Sequence, residues 1–282
     1  MAAVSATYIN NRLLHFEVVG RRGPPVIFLH SWLGSWRYWL PTMEHLSERN
    51  RTYALDFWGF GESDRRDGAF SIDEYVELLL QFIDSIGLSQ ASLVGHGLGG
   101  MVAVRAALAQ PARFTKIAAV NTPFHGQQIQ HVLKQGTFAR ILGRQSPASV
   151  WTRLIRQLNV DYPQILNEII EDTESLAETV VQRVIHSVLE CDLRPDLEQL
   201  EVPLLAIFGE KDAIVSPEQA QLLRDEQEAF QQAIVLPRAN HFPFLDQSNI
   251  FNRALTDYHA SQGTHVEIKT EWRRRVSQFE YI

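Results

Sequence analysis

Cysteine is almost absent: the 282 residues contain one, Cys191. That excludes an internal disulfide and a cysteine-based metal cluster, and it is the usage of a reducing compartment, so a cytoplasmic protein is expected. Cys191 lies in a polar-flanked stretch with no activating neighbour in view and reads as a structural thiol. Long apolar runs are missing as well. No segment reaches the roughly 18 consecutive apolar residues of a membrane span, and Met1 to Leu14 lacks a basic stretch leading into an apolar one, so neither a span nor a cleaved signal is expected. Positive charge is the minority: 26 Lys and Arg against 33 Asp and Glu give a net charge of −7. This disfavours a general nucleic-acid binder, and Arg273-Arg274-Arg275 reads as a solvated face. Internal repeats and low-complexity linkers are lacking too.

What remains, 45% hydrophobic and 21% charged residues, suits one large globular domain with an insertion. Thr7 to Asn10 and Leu13 to Val19 alternate around Asn10-Asn11 and predict an antiparallel pair at a sheet edge. Val26 to Leu29, Thr52 to Leu55, Ala91 to Val94, Lys116 to Val120, Leu204 to Phe208 and Ala233 to Leu236 are apolar runs suited to buried parallel strands. Helical spacing separates several of them, as at Tyr75, Leu78, Leu79, Phe82 and Ile83 behind the capping Ser71. Strand and helix in alternation imply an α/β fold: a mostly parallel sheet with right-handed crossovers and helices on both faces.

From Phe124 to about Leu200 the strand signals stop. Gln127 to Leu142, Val150 to Leu158, Tyr162 to Ile170 and Leu176 to Leu189 carry helical periodicity, predicting an inserted helical cap. A further helix is expected over Pro217 to Phe230 and a last one from about Ser248 to Ala260. The expected division is a core of residues 1–123 and 201–262, a cap of 124–200 and a tail of 263–282. In that tail Val266, Ile268, Thr270 and Trp272 alternate with charged residues, a pattern for an extra strand through which a homo-oligomer could pair.

The chain is organised around Leu93 to Val102, where an apolar strand breaks into Gly95, Gly97, Gly99 and Gly100 and resumes as an Ala/Val-rich helix. Gly97 stands at the centre of this tight turn, where a side-chain-bearing residue would pay about 1–3 kcal/mol of backbone strain. Two other polar residues stand just beyond late strands: Asp212 in Gly-Glu-Lys-Asp and His241 in Ala-Asn-His-Phe-Pro. Singly they would be a turn aspartate and a loop histidine. His30 and His96 read as packed structural histidines, and Asn121 cannot replace an acid. The loop Asp56 to Asp64 lacks the lysine and the helix start of a phosphate cradle.

Five motifs in order resemble the α/β-hydrolase superfamily, in its capped branch of esterases, dehalogenases, epoxide hydrolases and C–C bond hydrolases. His30-Ser31-Trp32-Leu33-Gly34 is similar to H-G-x-x-G, Asp56 to Ser63 to D-x-x-G-x-G-x-S, Gly95 to Gly100 to G-H-S-x-G-G, Gly209 to Asp212 to G-x-x-D, and Asn240 to Pro243 to the histidine loop. The resemblance covers roughly Thr7 to Ala260 and implies an α/β-hydrolase fold with a catalytic triad at positions 97, 212 and 241. It also implies an oxyanion site formed by the backbone N–H groups of Trp32 and Leu98. Ser31, His125, Trp58 and Phe242 are expected to line the substrate pocket, and no cofactor or metal is implied.

The sequence departs from this pattern at Gly97, where the nucleophilic serine stands, and at Ser31, where the family has glycine and a side chain would crowd the oxyanion site. No acyl-serine can then form, which excludes ordinary esterase, lipase and thioesterase chemistry; the aspartate nucleophile of dehalogenases and epoxide hydrolases is equally absent, and neither a fluorophosphonate adduct nor a burst on activated esters is expected. Three readings stay open. In one, a His241–Asp212 dyad activates water against a small apolar or labile carbonyl substrate, as hydrolase or lyase, with about 10²- to 10⁴-fold from general-base assistance. In another, the chain is a pseudoenzyme that binds a ligand or partner. In the third, it is a serine hydrolase altered at position 97, and Gly97→Ser would restore a burst of acyl-enzyme.

Overall fold

The hairpin at the start of the chain turns through Asn10 and Asn11, both with left-handed backbone (φ 51° and 59°), a conformation asparagine tolerates better than most residues. It joins β1 (Ala3–Ile9) to β2 (Arg12–Val19), antiparallel with Ile9 opposite Arg12, as the alternation predicts. The computed structural model describes residues 3–66, 68–129, 152, 155–156, 160, 163–223 and 231–261. Six more strands follow: β3 (Pro25–Leu29), β4 (Arg51–Leu55), β5 (Ala91–His96), β6 (Phe114–Val120), β7 (Leu204–Gly209) and β8 (Gln231–Leu236). They form one sheet in the order β1-β2-β4-β3-β5-β6-β7-β8. β2 joins β4 antiparallel, and every pairing from β4 to β8 is parallel.

β5 and β7 are buried at all six positions. Their apolar runs are continuous because helices cover both faces of a parallel sheet. α1 (Leu40–Leu46) follows a 3-10 turn at Trp36–Trp39. α2 (Ile72–Ser85) starts where Ser71 Oγ accepts the Glu74 N–H and buries the five apolar residues its spacing marks. α3 (Leu98–Ala109) leaves the elbow at Gly97 and packs against β5 and β6. A Cβ at Gly99 would fall 2.3 Å from the Leu29 carbonyl oxygen, so glycine there lets α3 close onto the end of β3.

Between β6 and β7 come α4 (Pro163–Glu174), α5 (Glu178–Glu190) and α6 (Arg194–Leu197). α4 is fastened above the loop after β3. Asp172 accepts hydrogen bonds from Ser35 Oγ at 2.6 Å and Arg37 Nε at 3.0 Å, and the Thr173 hydroxyl shares its proton between the Ile169 carbonyl of its own helix at 2.8 Å and the Leu33 carbonyl at 3.1 Å. The expected helix over Gln127 to Leu142 begins as a 3-10 turn at Gly126–Gln128; most of it, and most of Val150 to Leu158, lies outside the described residues. Within them, the stretch expected as a helix from Pro217 forms a 3-10 turn, Pro217–Leu222. The remainder of that expected helix lies outside the described residues. α7 (Pro243–Asp246) and α8 (Ser248–Ala260) complete the core. The tail, and with it the expected extra strand and oligomer contact, lies outside the described residues. Among them no helix is long and apolar enough to cross a membrane.

The Asp56 motif is structural. Asp56 Oδ1 accepts the Trp36 N–H at 2.8 Å, while Oδ2 accepts the Glu62 N–H at 3.0 Å and His15 Nδ1 at 2.9 Å. Ser63 Oγ donates to the Asp56 carbonyl at 2.7 Å and accepts the His15 N–H at 2.9 Å. A fully buried carboxylate held this way ties the loops after β3 and β4 to β2, which fixes the floor beside the elbow.

Candidate active site

Gly97 sits at the sharpest point of the chain, with φ +51° and ψ −112°, outside the regions an L-residue ordinarily adopts. Its N–H donates to the Val120 carbonyl at 2.9 Å, which locks the turn against β6. The next residue opens α3, so the Leu98 N–H has no partner within its own helix. It points at Ser31 Oγ, 3.4 Å away.

The two polar residues singled out beyond β7 and β8 meet. His241 Nδ1 lies 2.8 Å from Asp212 Oδ2, in a site where the carboxylate is fully buried and the imidazole nearly so. A carboxylate can only accept, so Nδ1 carries the proton and donates it. Asp212 Oδ1 accepts from the N–H groups of Ile214 at 2.7 Å and Val215 at 3.1 Å. Both oxygens therefore have partners, and the acid is oriented before any substrate arrives. With Nδ1 committed to Asp212, proton transfer in this pair falls to Nε2.

Asn121 and Tyr38 do more here than the sequence indicates. Asn121 Nδ2 donates to the Asn240 carbonyl at 3.0 Å and its Oδ1 accepts the Gly209 N–H at 2.8 Å. One amide thus clamps the loop that carries His241 to the strand that delivers Asp212. Its φ of +40° at the end of β6 is a left-handed conformation that asparagine tolerates. Tyr38 Oη accepts the Ser31 N–H at 2.5 Å and lies 3.2 Å from His96 Nδ1, and His96 Nε2 lies 3.0 Å from the His241 carbonyl oxygen. Because that carbonyl accepts, His96 carries its proton on Nε2 and takes the Tyr38 hydroxyl proton at Nδ1. The run Ser31–Tyr38–His96–His241 ties the loop after β3 to the histidine loop through buried groups. Aromatic spacing could have flagged Tyr38; nothing local marks its hydroxyl as a bridge.

The remaining candidates are distributed. Trp32 is buried in the loop after β3. The Phe242 ring backs the histidine pair, its centroid 5.3 Å from those of His96 and His241. Trp58 belongs to the Asp56 loop, under the Arg12 guanidinium at 3.9 Å. His125 forms an isolated bridge with Asp192, where β6 meets the helices that follow it. Cys191 is buried and burial pushes its thiol pKa up, as suits a structural thiol.

His96 and His30 are both fully buried, and desolvation lowers their pKa, that of His96 well below the usual 6.5. His30 Nε2 accepts the Phe57 N–H at 2.9 Å, so its Nδ1 donates to the Ser31 carbonyl at 2.7 Å. Each neutral histidine must charge when the chain unfolds in acid. Unfolded chains then bind more protons, so stability falls as pH drops below 6.5, by up to about 1.4 kcal/mol per pH unit for each group. Burial lowers His259 to about 4, with the same sign. His15 is raised, so its contribution is present below 6.5 and is lost as pH rises through its folded value, above this window. Burial raises the carboxyls of Glu17, Asp172, Asp196 and Asp246, which add stability as pH falls through their folded values and oppose the histidines in more acid solution. The urea midpoint is therefore expected to fall just below pH 6.5, more steeply in the wild type than in a His259→Phe variant, and equal slopes would contradict the neutral-histidine assignment.

Comparison with known proteins converges on one family. The pattern described as the alpha/beta hydrolase family matches residues 26–254. The dihydrolipoyllysine-residue acetyltransferase component of the acetoin cleaving system of Pseudomonas putida is 28% identical over 258 residues. That match takes in 88% of this chain and 66% of that protein, so the chain spans about two thirds of its length. The pimeloyl-(acyl-carrier protein) methyl ester esterase of Shewanella woodyi is 26% identical over 272 residues, covering 87% of this chain and 97% of that one. Among solved structures, the enol-lactonase from Burkholderia xenovorans LB400 superposes with a TM-score of 0.72 at 22% identity, covering 91% of this chain and 100% of the other.

Proposed function

The chain belongs to the alpha/beta hydrolase family, and from that premise we propose that it hydrolyses a small carbonyl substrate of ester or lactone type, with His241 and Asp212 as its proton-transfer pair. The 2.8 Å bond between His241 Nδ1 and Asp212 Oδ2 carries this reading. It holds the imidazole in the tautomer that leaves Nε2 to act as base, and it stabilises the imidazolium formed when Nε2 takes a proton. The N–H groups of Leu98 and Trp32 serve as oxyanion donors, each such donor being worth about 10²- to 10³-fold. The helices between β6 and β7 act as a cap over this end of the sheet, where Asp172 and Thr173 fasten α4 to the loop that carries Ser31 and Trp32. The esterase and lactonase names among the similar proteins support the substrate class.

Activated aryl esters and simple lactones are the screen. Turnover by the wild type that disappears in His241→Ala is the expected result. Turnover equal in both proteins, or a wild type silent on every substrate while a small apolar ligand raises its melting temperature, removes the catalytic reading.

A further inference from the structure

Serine and glycine stand in exchanged places in the two loops of this site. Where the family pattern has glycine after the histidine of the β3 loop, this chain has Ser31; where the pattern has serine at the elbow, it has Gly97. The fold brings the two positions together. A Cβ on Gly97 would fall 2.2 Å from Ser31 Oγ and 3.1 Å from Ser31 Cβ, so the Ser31 hydroxyl stands beside the position an elbow hydroxyl takes. The same oxygen is 3.4 Å from the Leu98 nitrogen, at the N-terminus of α3. The Ser31 backbone is held on both sides: its N–H donates to Tyr38 Oη, and its carbonyl accepts from the Gly34 N–H at 3.1 Å and from His30 Nδ1. These bonds fix the Ser31 backbone, and its hydroxyl faces the elbow.

We propose that Ser31 is the nucleophile of this protein, its hydroxyl doing from the loop after β3 what an elbow serine does from the start of α3. The inference rests on the His241–Asp212 reading and adds to it the identity of the attacking atom. Ser31 Oγ bonds to the substrate carbonyl carbon while its proton passes to His241 Nε2; the alcohol leaves as its bond to carbon breaks and takes that proton. Water then attacks the acyl-Ser31, giving a proton to His241, and the acid is released as that proton returns to Ser31 Oγ. No oxidant or cofactor enters, and the sum is ester plus water to acid plus alcohol. The Tyr38–His96 bridge ties the loop that carries Ser31 to the loop that carries His241, and acyl transfer depends on holding nucleophile and base in register.

The test uses the full chain, a fluorophosphonate probe and para-nitrophenyl acetate. A single phosphonyl adduct on the peptide containing Ser31 is expected, together with a burst of nitrophenol. Ser31→Ala should lose both, with turnover down at least about 10³-fold, while Ser31→Cys should collect an acyl-thioester that mass spectrometry detects at residue 31. The cysteine variant and a melting curve separate lost chemistry from lost folding. An adduct elsewhere, or turnover that needs His241 but survives Ser31→Ala, overturns the proposal and leaves the His241–Asp212 pair acting on water. Turnover indifferent to both residues overturns the pair as well.

Discussion

Asp212→Asn is expected to lower kcat by about 10⁴-fold while leaving KM and the melting temperature nearly unchanged. The size of the effect follows from the way the carboxylate is held. Its Oδ1 faces two backbone donors, Ile214 and Val215, which accept no substitute for an oxygen. An asparagine at 212 must therefore place its carbonyl there and turn its NH₂ toward His241. Nδ1 of the imidazole would then have to accept rather than donate, moving the proton to Nε2, the nitrogen that must be bare to act as base. The geometry survives and the tautomer is wrong. Steady-state kinetics on whichever ester or lactone the wild type turns over decide the point. A variant within tenfold of wild type would show that the 2.8 Å bond to His241 is structural and that the base lies elsewhere.

The parts of this molecule that the sequence shows plainly are those in which one local pattern has one physical cause. Leu204 to Phe208 is apolar without interruption because β7 is covered on both faces, and Asp212 follows it because a parallel strand delivers its next loop to the same end of the sheet as its neighbours. His241 is legible for the same reason, one strand further on. The helix of α2 announces itself through Ser71 and the five apolar positions its spacing marks, all of them buried. By contrast, the bonds that determine what the site can do join distant loops. Ser31 and Leu98 are 67 positions apart, Asn121 and Asn240 119. No periodicity encodes such a meeting. The sequence reveals a side chain at 31 that would crowd the oxyanion site; the structure puts its oxygen on the Leu98 N–H and also against the place of the missing elbow side chain. Pro217 to Leu222 fails differently: its composition suits a helix, but a 3-10 turn packed against β7 and β8 is what forms there.

The same geometry reverses the outcome expected for Gly97→Ser. Read from the sequence, that change rebuilds the family pattern and restores a burst. In the fold it places a Cβ 2.2 Å from Ser31 Oγ and 3.1 Å from Ser31 Cβ. Rotating the Ser31 hydroxyl relieves the first contact but not the second, and the rotated hydroxyl loses the Leu98 N–H. Overpacking of this kind costs about 1–3 kcal/mol, and a side chain at φ +51° adds about 1–3 kcal/mol of backbone strain. The single variant is thus expected to be less stable by a few kcal/mol and to show no burst above wild type. Ser31→Gly together with Gly97→Ser removes the collision and leaves only the strain, so the double variant should recover part of the loss, with a coupling energy of about 0.5–3 kcal/mol in a denaturant-unfolding cycle. Its fluorophosphonate adduct should form at residue 97, on a serine that has the Leu98 N–H beside it and His241 within the same constellation. Additive stabilities in that cycle would mean that positions 31 and 97 do not compete for one space. The exchange of serine and glycine between the loops would then be two unrelated substitutions rather than one hydroxyl kept near the end of β5 by a different route.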